Sequence, residues 1–445
     1  MRTGLLLAPL LVACTTGTAK PPPPQAPEPP PPPPVTFIED DYARALTAAR
    51  STNRPLFIDE WASWCHSCLS MREYVFRDPT LRPIADHFVW LSIDTENAKN
   101  DEVVARFPLD AWPTFWVIAP DTEKPLLKWV GTATAPELVA LLKDTEGDAG
   151  AAAGEASAAL LRGDRAIANG DDAHAIGELR AALGAAPEGW ARRAGAVAML
   201  AGALERTKDY EACVTLAVAE LPELVAGTPR ATVATVGLSC GLALPKKSKA
   251  RQELPVIADI MARMAADRSQ PLLADDRSEL YAEVVEYRTD TGDAAGAKIA
   301  ARAWASFLEE QASLAPDDKA RAVFDAHRLL AYLALGEGEK AVTMLKASES
   351  AFPADYNPPA RLAIAYRALA RLDEANAAIA RALAKAHGPR KLRLFLLAAD
   401  IATARGDAKG AKQALADGIA LGKSLTLTPG YTKVLAELET RASKK

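Results

Sequence analysis

The pair Cys65 and Cys68 constrains the fold of this chain more than any other feature, because it closely follows a short apolar strand pattern at residues 56–58. The two-residue spacing lets both sulfurs meet across the first turn of a helix, with the first sulfur at the helix N-terminus. Unpaired N–H groups and the positive end of the helix dipole stabilise a thiolate there. The pattern therefore predicts a strand–turn–helix unit carrying a dithiol that can attack disulfides.

The residues around this pair alternate between strand and helix patterns. Strands are expected at residues 56–58, 88–93, 114–118 and 126–130, and helices at 40–50, 65–76, 100–107 and after residue 134. Thr134 followed by Glu137 is typical of a capping box that opens the last of these helices. Strands alternating with helices predict an α/β sheet with crossover connections, and we place this domain at residues 37–145.

Four landmarks make residues 37–143, about a quarter of the chain, resemble a thioredoxin-fold domain. The most similar family is the periplasmic C-terminal domain of the membrane thiol–disulfide interchange reductase, judged by residues 74–79. The landmarks are Trp64-Cys65-x-x-Cys68, Asp59 six residues before Cys65, Trp112-Pro113-Thr114, and Gly131. Together they are far more specific than two cysteines alone.

The resemblance implies a role for each landmark and requires no cofactor. Cys65 is the nucleophile, Cys68 is the resolving thiol, and Asp59 is the proton acceptor. By the same resemblance, a groove for an extended substrate peptide is shaped by Pro113 and lined by three neighbours, Trp64, His66 and Trp112.

Three departures from the family leave the redox potential and direction open. The dipeptide between the cysteines, His66-Ser67, has no proline. Trp90 stands where the family has a lysine near Asp59, so we expect this acid to lack that partner. Trp112 precedes the special proline, where many relatives have an aliphatic residue.

Other interpretations of the cysteine pair stay open at this point. Cys65 and Cys68 could be half of a zinc site, but no second Cys-x-x-Cys or paired histidine lies nearby in sequence, so we expect no metal. They could also form a purely structural disulfide. His66 either tunes the thiolate or is an ordinary exposed loop residue.

The second half of the chain is Ala-rich and helical in pattern, after a linker at residues 146–156. A turn-then-helix motif recurs, and its alanines are Ala175, Ala212, Ala297, Ala341, Ala375 and Ala411. The spacings are 34–44 residues, apart from one of 85 that holds a degenerate copy. Helix pairs at this period resemble tetratricopeptide repeats. We predict six or seven stacked pairs over residues 157–443, with a concave surface that docks a protein partner.

Cys213 and Cys240 lie symmetrically about a break near Ala226, so an antiparallel helix pair would set them opposite one another. A structural disulfide and two buried thiols both stay open, and we favour two buried thiols.

The N-terminus is typical of an export signal. Arg2 precedes an apolar run at residues 4–12, and residues 11–14, which end in Cys14, resemble the lipobox of bacterial lipoproteins. We therefore predict a signal peptide at 1–13 and a lipidated Cys14 followed by a proline-rich linker to residue 36. The linker has 11 prolines among residues 21–34, which favours a stiff polyproline II spacer. Ordinary signal cleavage that discards Cys14 is the alternative.

These features predict an exported, membrane-anchored enzyme. The localisation is the periplasmic side of the cell envelope, with the outer membrane preferred because no acidic residue follows Cys14. A net charge of −5 and the lack of a basic stripe argue against nucleic acid as a partner. We expect a thiol–disulfide oxidoreductase, in the reductase direction, that acts on exported proteins with disulfides and takes electrons from an unknown donor. The alternative is an envelope scaffold of helical repeats with an accessory thioredoxin-like module.

Overall fold

The computed structural model describes residues 32–109, 111–146 and 154–443. The predicted signal peptide, Cys14 and most of the proline-rich linker lie outside the described residues, so these assignments stay predictions, as do the domain boundaries. Residues 33–445 belong to one compact unit. Within the described ranges, every helix is too short or too polar to cross a membrane.

The N-terminal part is built on one mixed sheet of five strands in the order β1-β3-β2-β4-β5. The strands are β1 Ile38–Glu39, β2 Leu56–Trp61, β3 Val89–Asp94, β4 Thr114–Ile118 and β5 Pro125–Val130. β3 runs parallel to β1 and β2, whereas β4 runs antiparallel to β2 and β5. The central strand β2 is buried along most of its length, and its C-terminal end leads to Cys65.

The helices of this part are α1 Tyr42–Thr52, α2 His66–Ser70, α3 Arg82–Ala85, α4 Asp101–Arg106 and α5 Ala135–Glu146. A π-helical turn, Met71–Val75, continues α2. The predicted capping box is confirmed, because the Thr134 backbone N–H donates to Glu137 at 2.7 Å and the Glu137 N–H donates to the Thr134 hydroxyl at 3.4 Å. The predicted α/β fold class is therefore confirmed for this part of the chain.

The second part is all-helical, as predicted. Sixteen α-helices span the described range 154–443: α6 Gly154–Ala168, α7 Asp172–Ala185, α8 Arg193–Arg206, α9 Tyr210–Glu220, α10 Thr228–Ala243, α11 Leu254–Ala266, α12 Ala274–Asp290, α13 Ala294–Leu314, α14 Asp318–Ala322, α15 Asp325–Leu335, α16 Gly338–Ala351, α17 Asn357–Ala368, α18 Leu372–Lys385, α19 Lys391–Ala404, α20 Ala408–Gly422 and α21 Pro429–Ser443. Leaving aside the short α14, helices α6 to α20 form seven consecutive pairs that each pack against the next, and α21 ends the stack. The helices α6, α8, α10, α12, α15, α17 and α19, which open the pairs, are called first helices below.

The recurring Gly-Asp dipeptide has a backbone explanation. Gly170, Gly292 and Gly406 adopt φ values of 73°, 79° and 76°, the left-handed conformation that ends a first helix at little steric cost. The aspartate that follows caps the second helix; Asp171, for example, accepts a hydrogen bond from the His174 backbone N–H at 3.0 Å. The six repeat alanines then fall in the first turn of α7, α9, α13, α16, α18 and α20. The degenerate copy predicted inside the long spacing corresponds to the pair α10 and α11.

Cys213 on α9 and Cys240 on α10 are joined in a disulfide, so our preference for two buried thiols is wrong. Their Cα atoms are 6.3 Å apart, within the range that a disulfide spans, and both residues are fully buried. The cause is the turn between α9 and α10, which packs the two helices side by side. The bond covalently links two neighbouring repeat pairs.

Removal of the Asp171 cap tests this account of the repeats. Asp171→Ala leaves backbone N–H groups at the start of α7 without their acceptor, which we expect to cost about 1 kcal/mol of stability. Asp171→Asn keeps the cap and is the matched control. We expect a lower urea midpoint by circular dichroism for the alanine variant alone, and equal midpoints for both variants would contradict the assignment.

Candidate redox site

The two cysteines lie at the junction between the sheet and α2. Cys65 is the residue directly before the helix, and its sulfur accepts a hydrogen bond from the Cys68 backbone N–H at 3.0 Å. The two sulfurs are bonded at 2.03 Å, with their Cα atoms 5.2 Å apart. The strand–turn–helix unit that the spacing predicted is therefore present, with the first sulfur at the helix N-terminus.

The loop that faces the cysteines contains a cis peptide bond between Trp112 and Pro113. The Ser67 hydroxyl donates to the Trp112 carbonyl at 3.4 Å, which links residues 62–68, called the cysteine loop below, to this second loop. The Gly131 backbone N–H donates to the Pro113 carbonyl at 2.8 Å and holds the loop from its other side. Trp64 and Trp112 pack against the disulfide with their ring centres 5.0 Å apart. The structure thus brings the predicted groove residues together around the sulfurs.

Asp59 is a buried acid on β2, with only 1% of its surface exposed. Neither carboxylate oxygen has a hydrogen-bond partner among the described residues. Burial raises the pKa of this carboxyl to about 7, against the smaller opposing effect of Arg72. A group with this pKa can take up and release a proton near neutral pH, as its predicted role requires.

In place of the family's lysine, a cation that we did not predict, Arg72, lies beside Asp59. The Arg72 guanidinium lies 3.9 Å from the Asp59 carboxylate, donates to the Ser92 hydroxyl at 2.6 Å and stacks on the Trp61 ring. Trp90 instead packs into the aromatic core, 4.6 Å from the Phe57 ring centre. The sequence carried a signal for Arg72 that we missed: it lies four residues after Cys68, about one helical turn further on.

The disulfide is covered, with 3% of Cys65 and 1% of Cys68 exposed. First helices of five successive pairs, together with α21, make hydrogen bonds to the thioredoxin-like part. The residue pairs are Thr228 with Glu137, Asp276 with Thr132, Asp275 and His327 with His66, Asn357 with Ser63, Arg390 with Glu96, and Tyr431 with Glu96. The first helices of the repeats are therefore in contact with the chain's own redox site.

Glu96 is the centre of this interface and has no counterpart in the sequence analysis. Its carboxylate, 4% exposed, accepts hydrogen bonds from the Trp64 ring N–H at 3.1 Å, the Tyr431 hydroxyl at 2.8 Å and the Arg390 backbone N–H at 2.7 Å. Burial raises the pKa of Glu96, and the three donors oppose that shift. The Arg390 guanidinium lies 4.4 Å from the centre of the Trp64 ring, on the face of the indole. Trp64, next to Cys65, is thus held from the repeat side.

A cleft of about 590 Å³ opens beside Trp64 and His66, between the cysteine loop and the repeats. Its charged lining is mostly cationic: Arg361, Arg367, Arg390, Arg393 and Arg441, against Asp400 and Glu437. This cleft leads from solvent to the residues that flank the disulfide.

Comparisons with known proteins identify relatives of the N-terminal part. A family model described as thioredoxin-like matches residues 37–120. The thiol:disulfide interchange protein DsbD of Ralstonia nicotianae is 32% identical over 110 residues, 24% of this chain and 18% of that protein. DsbD of Pseudoalteromonas atlantica is 31% identical over 77 residues, 17% of this chain and 13% of that protein. The chain therefore spans less than a fifth of the length of these relatives.

Solved structures with some similarity to this chain include tetratricopeptide repeat proteins. One, from Parabacteroides merdae, has a TM-score of 0.42 at 11% identity and covers 64% of this chain and 99% of its own. The TPR2AB domain of yeast Sti1, in a complex with pHSP90, has a TM-score of 0.25 at 15% identity and covers 65% of this chain and 98% of its own.

The charge state of Asp59 should be visible in the pH dependence of stability. The folded chain holds this proton up to about pH 7, whereas an unfolded carboxyl releases it near pH 4, so the folded state is destabilised as pH rises through that window. We expect Asp59→Asn to be more stable than the native chain at pH 8, by up to about 4 kcal/mol, and similar to it at pH 4.

Calorimetric melting temperatures at both pH values measure this difference, with the exposed Asp121→Asn as control. A gain for Asp59→Asn that is the same at pH 4 and pH 8 would show that the Asp59 carboxyl titrates normally.

Proposed function

We propose that this protein is a thiol–disulfide oxidoreductase that reduces disulfides in exported proteins through Cys65 and Cys68. The observation that carries the proposal is the disulfide itself, at the N-terminus of α2 and beside the cis Trp112–Pro113 loop. A helix N-terminus stabilises the thiolate that forms when this bond is reduced. Asp59, with its raised pKa, supports the same chemistry from β2.

The reaction transfers two electrons from the reduced pair to the client. The Cys65 thiolate attacks one sulfur of the client disulfide, forming a mixed disulfide and releasing a client thiolate, which takes up a proton. Asp59 accepts the Cys68 proton, and the Cys68 thiolate then attacks the Cys65 sulfur. The second client sulfur leaves as a thiolate, which takes up the proton that Asp59 received, and the Cys65–Cys68 disulfide forms. A dithiol donor of unknown identity then reduces this disulfide for the next cycle.

Client access requires movement at the interface between the two parts. With 3% and 1% of the two cysteines exposed, a protein disulfide cannot reach Cys65 in the described arrangement. The cationic cleft at Trp64 and His66 offers an entry route, and its arginines favour clients with acidic segments near their disulfides. In this proposal the repeats control access to the redox site and select clients.

The scaffold function remains the second candidate, and the same burial favours it. A thioredoxin-like domain that lies against five first helices and α21 could serve as a fixed structural part of a helical-repeat scaffold. The two candidates differ in whether Cys65 ever forms a bond with another protein.

For the cellular setting, we propose export and anchoring at the periplasmic side of the envelope through acylated Cys14. The support is the lipobox-like segment at residues 11–14 and the polyproline spacer after it. Such a spacer would hold the redox domain away from the membrane, where protein clients can reach it.

The Cys68→Ser variant of the full chain should trap clients. Without the resolving thiol, a mixed disulfide at Cys65 cannot be cleared by Cys68, so it should accumulate and be visible on non-reducing gels of cell extracts.

Insulin reduction is a second assay. The native chain with dithiothreitol should reduce insulin faster than the Cys65→Ser variant does. Cys213 and Cys240 are present in every variant, so they do not affect the comparison.

The matched control for trapping is the double variant Cys65→Ser/Cys68→Ser, which lacks the attacking sulfur. If Cys68→Ser forms no more adducts than this control, and insulin reduction equals that of Cys65→Ser, the scaffold function is favoured.

A further inference from the structure

Three polar side chains from separate segments converge beside the disulfide. They are His66 at the start of α2, Asp275 in the first turn of α12, and His327 on α15. The His66 Nδ1 atom lies 3.0 Å from Asp275 Oδ1 and 3.1 Å from His327 Nε2, and His327 Nε2 lies 3.5 Å from the same Asp275 oxygen. One ligand atom of each residue therefore meets at a single point.

Hydrogen bonds alone leave one close contact in this cluster unexplained. Each facing ring nitrogen carries at most one hydrogen, and a carboxylate oxygen only accepts. If His66 donates to Asp275, its hydrogen does not also point at His327. If both nitrogens carry hydrogens, the contact of 3.1 Å between them has no acceptor. At least one of the three contacts then brings together two atoms that cannot form a hydrogen bond, whereas a cation would accept a lone pair from all three residues.

The distances fit a tetrahedral metal ion. Zinc binds imidazole nitrogen and carboxylate oxygen at about 2.0–2.2 Å, so two ligand atoms of a tetrahedral site lie about 3.3 Å apart. The observed separations of 3.0, 3.1 and 3.5 Å lie on both sides of this value. Two histidines with one carboxylate are also a ligand set that leaves a fourth position for water or a client group.

The surroundings hold the ligands as a metal site does. His327 is 3% exposed, and its Nδ1 atom is hydrogen-bonded at 2.6 Å to the Ser278 hydroxyl, which accepts from the Trp304 ring N–H at 2.6 Å. A fixed partner on the far nitrogen of this kind orients a metal-binding histidine. The charged groups that face the cluster are Asp275 and Glu279, against Arg361.

We propose that His66, Asp275 and His327 bind one divalent transition-metal ion, with zinc as the preferred ion. The His66 side chain is 34% exposed and lines the cationic cleft, which gives the ion a path from solvent. Because His66 comes from the cysteine loop and the other two ligands come from the repeats, the ion joins the two parts directly beside Cys65. Binding of the metal ion does not depend on the proposed function. The effect of the ion on access to the disulfide does rest on that function.

Zinc binding to the metal-stripped full chain tests the proposal, with zinc chloride as the titrant in calorimetry and with bound metal counted after dialysis. We expect one zinc per native chain and a higher melting temperature on loading. His327→Gln and Asp275→Asn should bind at least tenfold more weakly. His174→Gln, which changes an exposed histidine on α7, should bind as the native chain does.

Since His327 and Asp275 are buried, circular dichroism must show that their variants fold. His66→Asn provides a second test, because the His66 side chain is only partly buried. This variant should lose zinc binding as well. The proposal is overturned if the native chain binds no stoichiometric zinc, or if a folded His66→Asn variant binds it as tightly as the native chain. The three residues would then form only a hydrogen-bonded ion pair. Insulin reduction does not enter this test, so it stands or fails separately from the proposed function.

Discussion

The buried carboxylate of Glu96 is the contact on which the rest of this arrangement depends. A charge at 4% exposure is tolerated only where donors replace water, and here the donors come from Trp64 on the cysteine loop, from Arg390 at the start of α19 and from Tyr431 on α21. Loss of any one donor leaves the acid partly unsatisfied, so the three contacts support one another. The position of Trp64, and with it the cover over Cys65, is thereby coupled to the end of the repeat stack.

Because of these contacts, the helical repeats bind a domain of their own chain. Stacked helix pairs offer an extended face to ligands, and here the first helices use that face to hold the chain's own thioredoxin-like domain. In the proposed function, the reactivity of the disulfide is set by how often the interface opens, as well as by the chemistry of the cysteines. A metal ion at His66, Asp275 and His327 would hold the cysteine loop to the repeats at a further point, besides the hydrogen bond that the Asn357 side chain donates to the Ser63 carbonyl.

The sequence was informative where a short segment determines its own geometry. The Cys65–Cys68 unit, the Thr134–Glu137 capping box and the Gly-Asp turns all depend on residues within about one helical turn, so spacing alone predicted them. Arg72 was within reach of the same reasoning. Glu96 and its partners were not, because Glu96 and Arg390 are 294 positions apart and no periodicity connects them. The His66, Asp275 and His327 cluster was missed for that reason too, and a metal was not expected on sequence grounds.

The rate at which dithiothreitol reduces the Cys65–Cys68 disulfide tests most directly the claim that the repeats control access to it. The reduced pair can be counted over time by acid quenching, alkylation and mass spectrometry. Glu96→Ala removes three hydrogen bonds from the interface, whereas Glu123→Ala, as control, removes ion pairs with Arg50 and Arg106 elsewhere in the same domain. We expect reduction to be about tenfold faster or more in Glu96→Ala, because a charged hydrogen bond contributes about 1.5–3 kcal/mol, and to proceed at an unchanged rate in Glu123→Ala. Equal rates in the native chain and a folded Glu96→Ala variant would contradict it.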